Sequence, residues 1–210
     1  MVVNIFNSPE LIQEFTRVYL AIFYSIVALF YTVRIITLKR ATGQERVFHG
    51  AFLSPNWWHH KIFDVFRVTI WMVCVARWWH PSMDAYLGVF SVMSSPWCLL
   101  LGNIMLTLGF IWTIAMHFLL GRHWTSGINQ TGPTQLVTKG MYRFSRNPIY
   151  LGVLLSQFGF VLALPSWFSL LCFGIGVVTI LRQTREEELH LAQRFPHDYA
   201  AYQAQVPRWL

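Results

Sequence analysis

Long apolar segments alternate with short polar ones along the whole 210-residue chain. A helix needs about 20 mostly apolar residues to cross a bilayer. The first candidate span runs from about Phe15 to Leu38, a second and shorter one covers roughly Phe63 to Trp79, and a third runs from about Trp97 to Leu120. A fourth apolar stretch, from Tyr150 to Leu181, is too long for one straight span.

The fourth stretch is interrupted by "LPSW" at Leu164–Trp167, which has the composition of a turn because proline does not continue a helix. We therefore predict a helical hairpin at this point and five transmembrane helices in all. The predicted fold is an all-α, polytopic membrane protein with one structural domain. Residues 1–96 contain the first two helices, and residues 97–210 contain the last three and a helical C-terminal tail.

Composition supports a membrane protein. Hydrophobic residues make up 55% of the chain and charged residues 12%, whereas a soluble domain carries about 25% charged residues. The net charge of +7 is divided among short clusters between apolar segments, so we expect membrane lipids and no nucleic acid as partners. The three cysteines lie inside apolar segments, and Glu187-x-x-His190 is half of a di-iron pattern without its second half. We therefore expect no metal.

The distribution of Lys and Arg predicts the orientation in the membrane. These residues follow the first, third and fifth predicted spans, and they are absent before Arg17, from residues 80–96 and from the hairpin turn. Because cytoplasmic loops carry an excess of Lys and Arg, we expect the N-terminus outside and the C-terminal tail in the cytoplasm. A bacterial inner membrane is the favoured location, with an endomembrane as the alternative.

Two polar clusters flank the predicted hairpin. Arg146, Asn147 and Tyr150 stand at its start in "YRFSRNPIYLG", and Glu186 and Glu187 stand at its end in "REEEL". Because a hairpin brings its two ends together, we expect guanidinium, amide and phenol groups to face two carboxylates at the cytoplasmic membrane surface. Such a cleft suits a zwitterionic ligand, and a lipid-soluble second substrate can enter it from the bilayer.

Residues 136–152, "LVTKGMYRFSRNPIYLG", resemble the cofactor-binding motif of the integral-membrane methyltransferases, which include isoprenylcysteine carboxyl methyltransferase and the phospholipid N-methyltransferases. Residues 185–209, "REEELHLAQRFPHDYAAYQAQVPRW", are similar to the closing motif of the same family. The resemblance implies S-adenosylmethionine as the cofactor, in a pocket formed by the late helices and the cytoplasmic tail. The cofactor contacts that it implies are Leu136, Val137, Gly140, Tyr142, Arg146, Asn147, Pro148, Tyr150, Glu186 and Glu187.

The expected chemistry is an in-line methyl transfer, in which the protein mainly aligns the reacting groups and excludes water. An ammonium acceptor must first lose a proton, and Glu187 and His190 are candidates to take it. Arg146 could instead orient a substrate carboxylate. We therefore name Arg146 and Glu187 as candidate catalytic residues. Asn147 stands where many family members carry His, and an amide does not shuttle protons at neutral pH.

The methyl acceptor stays open among lipophilic carboxylates, amines and thiols. His49, His60 and His190 are candidate substrate contacts, the first two because their loop is predicted to be cytoplasmic.

Two other classes remain as alternatives. A membrane NADPH-dependent sterol or enone reductase shares the Arg-x-Pro-x-Tyr-x-Gly turn, but here Val153 follows Gly152 where the sterol reductases commonly have Glu. In a non-catalytic membrane protein, both polar clusters would only anchor the topology.

Overall fold

The structure is a computed structural model that describes residues 8–129 and 132–210. These two ranges contain seven α-helices and two short strands: α1 (Pro9–Thr42), β1 (Val47–Phe48), α2 (Pro55–Trp79), α3 (Asp84–Leu87), α4 (Pro96–Leu120), β2 (Ser126–Gly127), α5 (Pro148–Ala163), α6 (Trp167–Arg194) and α7 (Pro196–Gln205). The first seven residues, which belong to the N-terminal tail used for the orientation prediction, lie outside the described residues.

Local sequence signals explain where the long helices begin and end. Ser54, Ser95 and Ser166 each precede a helix, and the side chain of each accepts a hydrogen bond from the backbone N–H three residues further on. α1 ends at Thr42 and is capped by Gly43, whose φ of 65° allows its N–H to reach the carbonyl of Lys39. These caps fix the helix ends close to where the apolar pattern changes.

The long helices alternate in direction and form a bundle with two ends. α1 and α4 run parallel, since Asn103 Nδ2 donates to Thr16 Oγ1 at 3.0 Å nearer their starts and Arg34 donates to the His117 carbonyl at 2.8 Å nearer their ends. α2 and α5 run the opposite way, and α6 returns in the direction of α4. The start of α5 and the end of α6 therefore lie at the same end of the bundle, which we call the motif end.

At the motif end, a short parallel pair of strands joins two loops. Val47 pairs with Ser126 and Phe48 pairs with Gly127, so β1 and β2 connect the loop after α1 to the loop after α4. The sequence did not predict this pair, because two-residue strands leave no periodic signal.

At the opposite end, Asp84 connects α1, α2 and α3. Its carboxylate accepts hydrogen bonds from Arg77 at 2.6 Å and from Arg17 at 2.8 Å. Burial raises the pKa of Asp84, but the hydrogen bonds and charges of the two arginines outweigh burial, so the pKa lies below its ordinary value. The ionised carboxylate thus fixes the start of α1 against the end of α2.

Glycines allow α4 and α5 to pack with their backbones close together. A Cβ at Gly102 or Gly109 of α4 would lie 2.3 or 2.5 Å from atoms of α5, and one at Gly152 or Gly159 of α5 would lie 2.6 or 2.4 Å from atoms of α4. Contacts between small residues are typical of helices that associate in a membrane. This packing fixes the rotation of α5 and therefore the direction in which Tyr150 points.

Aromatic side chains of α1, α4 and α5 form the core of the bundle. Phe23 packs edge-to-face on Phe110 with ring centres 5.4 Å apart, and Tyr24 packs on Phe160 in the same way at 5.3 Å. The outer faces of the same helices also expose large apolar side chains, as helices surrounded by lipid do. Examples are Ile26, Leu29, Ile104, Leu108 and Phe158.

A helix occupies each of the five segments that the apolar pattern predicted, and the all-α class is confirmed. In the described part of the chain, three helical segments are long and apolar enough to cross a membrane: Pro9–Thr42, Pro96–His123 and Trp167–Arg194. α5 has only 16 residues, and α2 has 25 but carries several charged side chains. The count of five crossings and the orientation therefore remain predictions.

Candidate active site

A cavity of about 660 Å³ lies among the five long helices and reaches the motif end. Its volume is in the range of about 300–1,000 Å³ that is usual for ligand sites. Phe110 and Phe160 belong to its apolar inner wall, and Arg146, Tyr150 and Glu187 belong to its polar outer wall. The cavity can therefore hold the polar part of a ligand at one end and an apolar part at the other.

Tyr150 and Glu187 form the polar centre of the cavity. The Tyr150 hydroxyl donates to Glu187 Oε1 at 2.7 Å, and Gln183 Nε2 donates to the same oxygen at 2.9 Å. Tyr150 lies in the first turn of α5 and Glu187 near the end of α6, so the hairpin brings them together across 37 positions of sequence. The second oxygen, Oε2, accepts no hydrogen bond from a described residue, so it is available to a ligand.

Gln183 is held from its other side by α2. His59 Nδ1 lies 3.1 Å from Gln183 Oε1, and Gln183 Nε2 lies 3.5 Å from Asn56 Oδ1. Asn56 in turn donates to the Phe48 carbonyl at 2.8 Å. These buried contacts orient the Gln183 amide and, through it, Glu187. The sequence analysis missed Gln183 and Asn56, although a glutamine one turn before Glu187 in an apolar run was an available signal.

The adjacent carboxylate, Glu188, forms a separate ion cluster. Arg146 donates to its two oxygens through Nε at 3.3 Å and Nη2 at 3.2 Å, and Arg208 does so through Nε at 3.1 Å and Nη2 at 2.9 Å. Asn147 Nδ2 adds a further hydrogen bond at 3.0 Å. Only 7% of the Glu188 side chain is exposed, so these contacts compensate a charge that would otherwise be buried alone.

Arg146 is bound to the C-terminal tail as well as to Glu188. Its Nη1 donates to the carbonyls of Gln203 and Val206 at 3.2 and 3.1 Å, and its backbone N–H donates to the Pro207 carbonyl at 3.0 Å. Every nitrogen of the guanidinium group thus has a protein acceptor. Arg146 connects the start of α5 to the tail that follows α7.

α7 closes the cavity at the motif end. Tyr199 and Tyr202 of α7 line the cavity, and the Tyr202 hydroxyl donates to the Tyr142 carbonyl at 2.5 Å. Burial raises the pKa of both α7 tyrosines to about 12. Burial also raises the pKa of Tyr142, and the charge of Glu187 adds to the effect. These phenols are therefore neutral at pH 7 and offer hydrogen bonds and apolar faces rather than charge.

Most of the residues predicted for the site line this cavity. Those that do are Leu136, Val137, Tyr142, Arg146, Asn147, Tyr150, Glu187, His60 and His190. Gly140, Pro148, Glu186 and His49 do not belong to its lining.

Gly140 and Pro148 shape the backbone around the cavity. Gly140 begins a 3₁₀ turn with a φ of 63° and packs against Leu119, so a side chain there would be strained. Pro148 occupies the first position of α5, and its carbonyl accepts a hydrogen bond from the Trp112 indole at 2.8 Å. Both residues therefore influence the site by fixing the backbone conformation of the segment that carries its side chains.

The expectation that Glu186 faces Arg146 is corrected by the structure. Glu186 lies beside Arg182 and Arg185 in a shallow groove between α2 and α6, outside the cavity. Successive residues of a helix point about 100° apart, so three consecutive glutamates cannot face the same way. Glu187 and Glu188 face α5, and Glu188, which was not among the predicted site residues, takes the place expected for Glu186.

The three candidate substrate histidines lie in different surroundings. The His60 ring lines the cavity and packs on the His49 ring, with centres 5.0 Å apart. Burial and the neighbouring His49 lower the pKa of His60 to about 4, so His60 is neutral at pH 7. His190 also lines the cavity, and its Nε2 donates to the Gly132 carbonyl at 2.8 Å.

Among the residues that the structure describes, no group of three or more His, Cys, Asp or Glu side chains is arranged to hold a metal ion.

The fold and the cavity define a class of protein: a helical membrane protein whose amphipathic cavity has its polar end at two sequence motifs. Residues 97–198, from the start of α4 into α7, match the model of the phospholipid methyltransferase family. The match, which covers just under half of the chain, confirms the resemblance to the membrane methyltransferases. No match was found among curated proteins or among solved structures.

Proposed function

We propose that the protein is a multi-pass membrane enzyme that transfers a methyl group from S-adenosylmethionine to an amine nitrogen of a phospholipid. The observation that carries this proposal is the Glu187 carboxylate in the cavity, with one oxygen held by Tyr150 and Gln183 and the other open. The family match covers the helices that build this site, and it supports both methyl transfer and a lipid acceptor.

The polar end of the cavity offers groups that fit S-adenosylmethionine. The Tyr199 hydroxyl, which is buried without a hydrogen-bond partner among the described residues, and the neutral phenol of Tyr142 border this space and can hydrogen-bond polar groups of the cofactor. Leu136, Val137 and Leu191 provide an apolar wall for a planar base. When bound, the cofactor supplies a methyl group on a sulfonium sulfur, and its C–S bond breaks as the bond to the acceptor nitrogen forms.

The residues of the chain orient the acceptor and remove its proton. A phospholipid ammonium gives its proton to Glu187 Oε2, which frees the nitrogen lone pair for attack. Tyr150 and Gln183 hold Oε1, so Oε2 stays directed into the cavity. The surrounding helices exclude water and hold the reacting groups in line. Asn147 is bound to Glu188 and takes no part in proton transfer.

An amine is favoured over a carboxylate as the acceptor because of the charges at the site. A carboxylate acceptor needs a cation to orient it, and Arg146, the candidate for that task, donates to Glu188 and to tail carbonyls instead. The open group is the anionic oxygen of Glu187, which attracts a cationic head group. The apolar inner wall suits the acyl chains that follow such a head group.

All five long helices cross the membrane in this proposal, with the motif end in the cytoplasm. The alternating directions of the helices and the Lys and Arg residues of the connecting segments support this orientation. The site then opens where the cofactor is soluble, while the lipid reaches it from the bilayer.

The test is a transfer assay with the purified full-length protein and S-adenosylmethionine carrying a labelled methyl group. We expect label on the nitrogen of an aminophospholipid, and no label on a phospholipid of the same chain length without an amine. Oxidation of NADPH with an enone substrate, and no methyl transfer to any lipid, would favour the reductase and refute the proposal.

A further inference from the structure

Gln157 is a polar side chain in the middle of α5 that the proposed reaction does not use. It lies seven residues beyond Tyr150, so it is two turns, about 10 Å, deeper on the same helix face. It lines the cavity, and its carboxamide lies over Gly176 of α6, where a Cβ would come within 2.3 Å of Oε1. Oε1 is buried without a hydrogen-bond partner among the described residues, whereas Nε2, the donor of the same amide, is not fully buried and also makes no hydrogen bond with them.

Tyr24 of α1 lies at a similar depth in the cavity. Its ring packs on that of Phe160, which is one turn beyond Gln157 on α5. Tyr24 also stands seven residues before Tyr31, another lining residue, and α1 and α5 run in opposite directions. Moving from Tyr31 to Tyr24 therefore leads inward, as moving from Tyr150 to Gln157 does. The Tyr24 hydroxyl is not fully buried and makes no hydrogen bond with a described residue.

Two polar side chains of α5 and α6 near Gln157 donate hydrogen bonds to backbone carbonyls of their own helix or of a neighbouring helix. Ser156 donates to the Leu106 carbonyl at 3.1 Å, and Thr179 donates to the Ile175 carbonyl at 2.8 Å. Unpaired amide and phenol groups in an apolar interior are unfavourable, and polar side chains at membrane depth usually have a functional partner. Gln157 and Tyr24 thus have hydrogen-bonding capacity that the described protein does not use.

We propose that Gln157 and Tyr24 form a second polar subsite that hydrogen-bonds an ester carbonyl of the acceptor lipid. This inference rests on the proposed function for the identity of the lipid. Both side chains can donate to an acceptor oxygen, through Nε2 and the phenol O–H. In a diacyl phospholipid, the ester carbonyls lie between the amine head group and the acyl chains, which is the order of groups along this cavity. The subsite selects ester-linked lipids over ether-linked lipids with the same head group.

The test compares two aminophospholipids of equal chain length, one with two ester links and one with two ether links. Each is added to the purified full-length protein in detergent, and the midpoint of thermal unfolding is followed against lipid concentration. For the wild type we expect the diester lipid to bind about three- to tenfold more tightly, as for the loss of one hydrogen bond. In Gln157→Leu the two lipids should bind equally, and Tyr24→Phe should reduce the difference.

Three controls separate a subsite from a structural role. Phe158→Leu changes the next residue of α5, whose side chain is 42% exposed on the outer face, and it should keep the diester advantage. Without lipid, Gln157→Leu should unfold at the wild-type temperature or above, because leucine suits an apolar site. In a methyl-transfer assay, Gln157→Leu should raise KM for the diester lipid and leave kcat unchanged.

Equal binding of the two lipids by the wild type overturns the subsite, and so does a diester advantage that persists in both variants. Binding is measured without methyl transfer, so the two proposals can fail separately. Methylation without a diester advantage refutes only the subsite, whereas a diester advantage without methylation refutes only the proposed reaction.

Discussion

Glu186, Glu187 and Glu188 are consecutive in sequence but have three different surroundings. Glu186 lies in an outer groove, Glu187 presents an open oxygen to the cavity, and Glu188 is enclosed by Arg146 and Arg208. A buried carboxylate with two cationic partners contributes mainly to structure, whereas one with an open oxygen can act on a ligand. The reactive carboxylate of Glu187 is therefore distinct from the ion cluster around Glu188, which stabilises the fold of the site.

Glu188→Gln tests the structural role of the Glu188 carboxylate. The change keeps the shape of the side chain but leaves Arg146, whose side chain is 8% exposed, without its counter-ion. We expect a loss of about 3 kcal/mol in the free energy of unfolding, because an uncompensated buried charge remains. The measurement is the unfolding midpoint in detergent, together with the rate at which a protease cleaves the C-terminal tail.

Arg143→Gln is the matched control for this experiment. Arg143 is an exposed cation of the same motif that packs over Phe144 at 5.5 Å, and its loss should change stability by less than about 1 kcal/mol. If Glu188→Gln and Arg143→Gln had the same small effect, Glu188 would not anchor the tail.

At the scale of elements, the contact between α4 and α5 decides the geometry of the site. The backbones approach at Gly102, Gly109, Gly152 and Gly159, and the indole of Trp112 binds the first carbonyl of α5. Because this contact is rigid, α5 has one rotation in which Tyr150 faces Glu187 of α6. A substitution that pushes α4 and α5 apart should therefore move Tyr150 relative to Glu187.

Gly159→Ala introduces such a disturbance. The added Cβ would lie 2.4 Å from the backbone nitrogen of Leu106, which cannot move aside as a side chain could. We expect a loss of about 1–3 kcal/mol in stability from overpacking, read from thermal unfolding in detergent. The control is Gly174→Ala, because a Cβ at Gly174 of α6 meets nothing within 4 Å.

Gly174→Ala should leave stability unchanged or raise it by up to about 1 kcal/mol, since alanine favours a helix. Equal stability of the two variants would show that α4 and α5 do not pack as closely as described.

Much of the fold follows from local sequence, whereas the details of the site do not. The apolar segments predicted the five long helices, and the turn at Leu164–Trp167 predicted the hairpin that joins Tyr150 to Glu187. The choice of Glu188 over Glu186 depends on the rotation of α6, which no local pattern sets. The His59–Gln183 contact spans 124 positions and depends on how α2 docks against α6.

At the scale of the whole molecule, one cavity joins a polar end to an apolar interior among helices with apolar outer faces. This arrangement allows a soluble cofactor and a lipid to meet, provided that the motif end faces the cytoplasm and the bundle crosses the membrane five times. The loop around α3 would then lie on the other side of the membrane.

Cysteine labelling in intact cells tests this topology. Tyr86 of α3 is 88% exposed, and Gln205 at the end of α7 is also exposed, so each can be replaced by cysteine in a Cys98→Ala background. We expect a membrane-impermeant maleimide to label Tyr86→Cys in intact cells and to label Gln205→Cys only after permeabilisation. Labelling of both positions from the same side would contradict three crossings between Tyr86 and Gln205, and with them the five-span topology.

The central claim is that methyl transfer depends on the Glu187 carboxylate, and Glu187→Gln tests it most directly. The amide keeps the size of the side chain but cannot accept a proton, so kcat for methyl transfer to an aminophospholipid should fall by about 100-fold or more. Glu186→Gln makes the same chemical change one residue away, outside the cavity, and should keep the wild-type rate. A Glu187→Gln protein that turned over at the wild-type rate, or an equal loss in Glu186→Gln, would contradict the account.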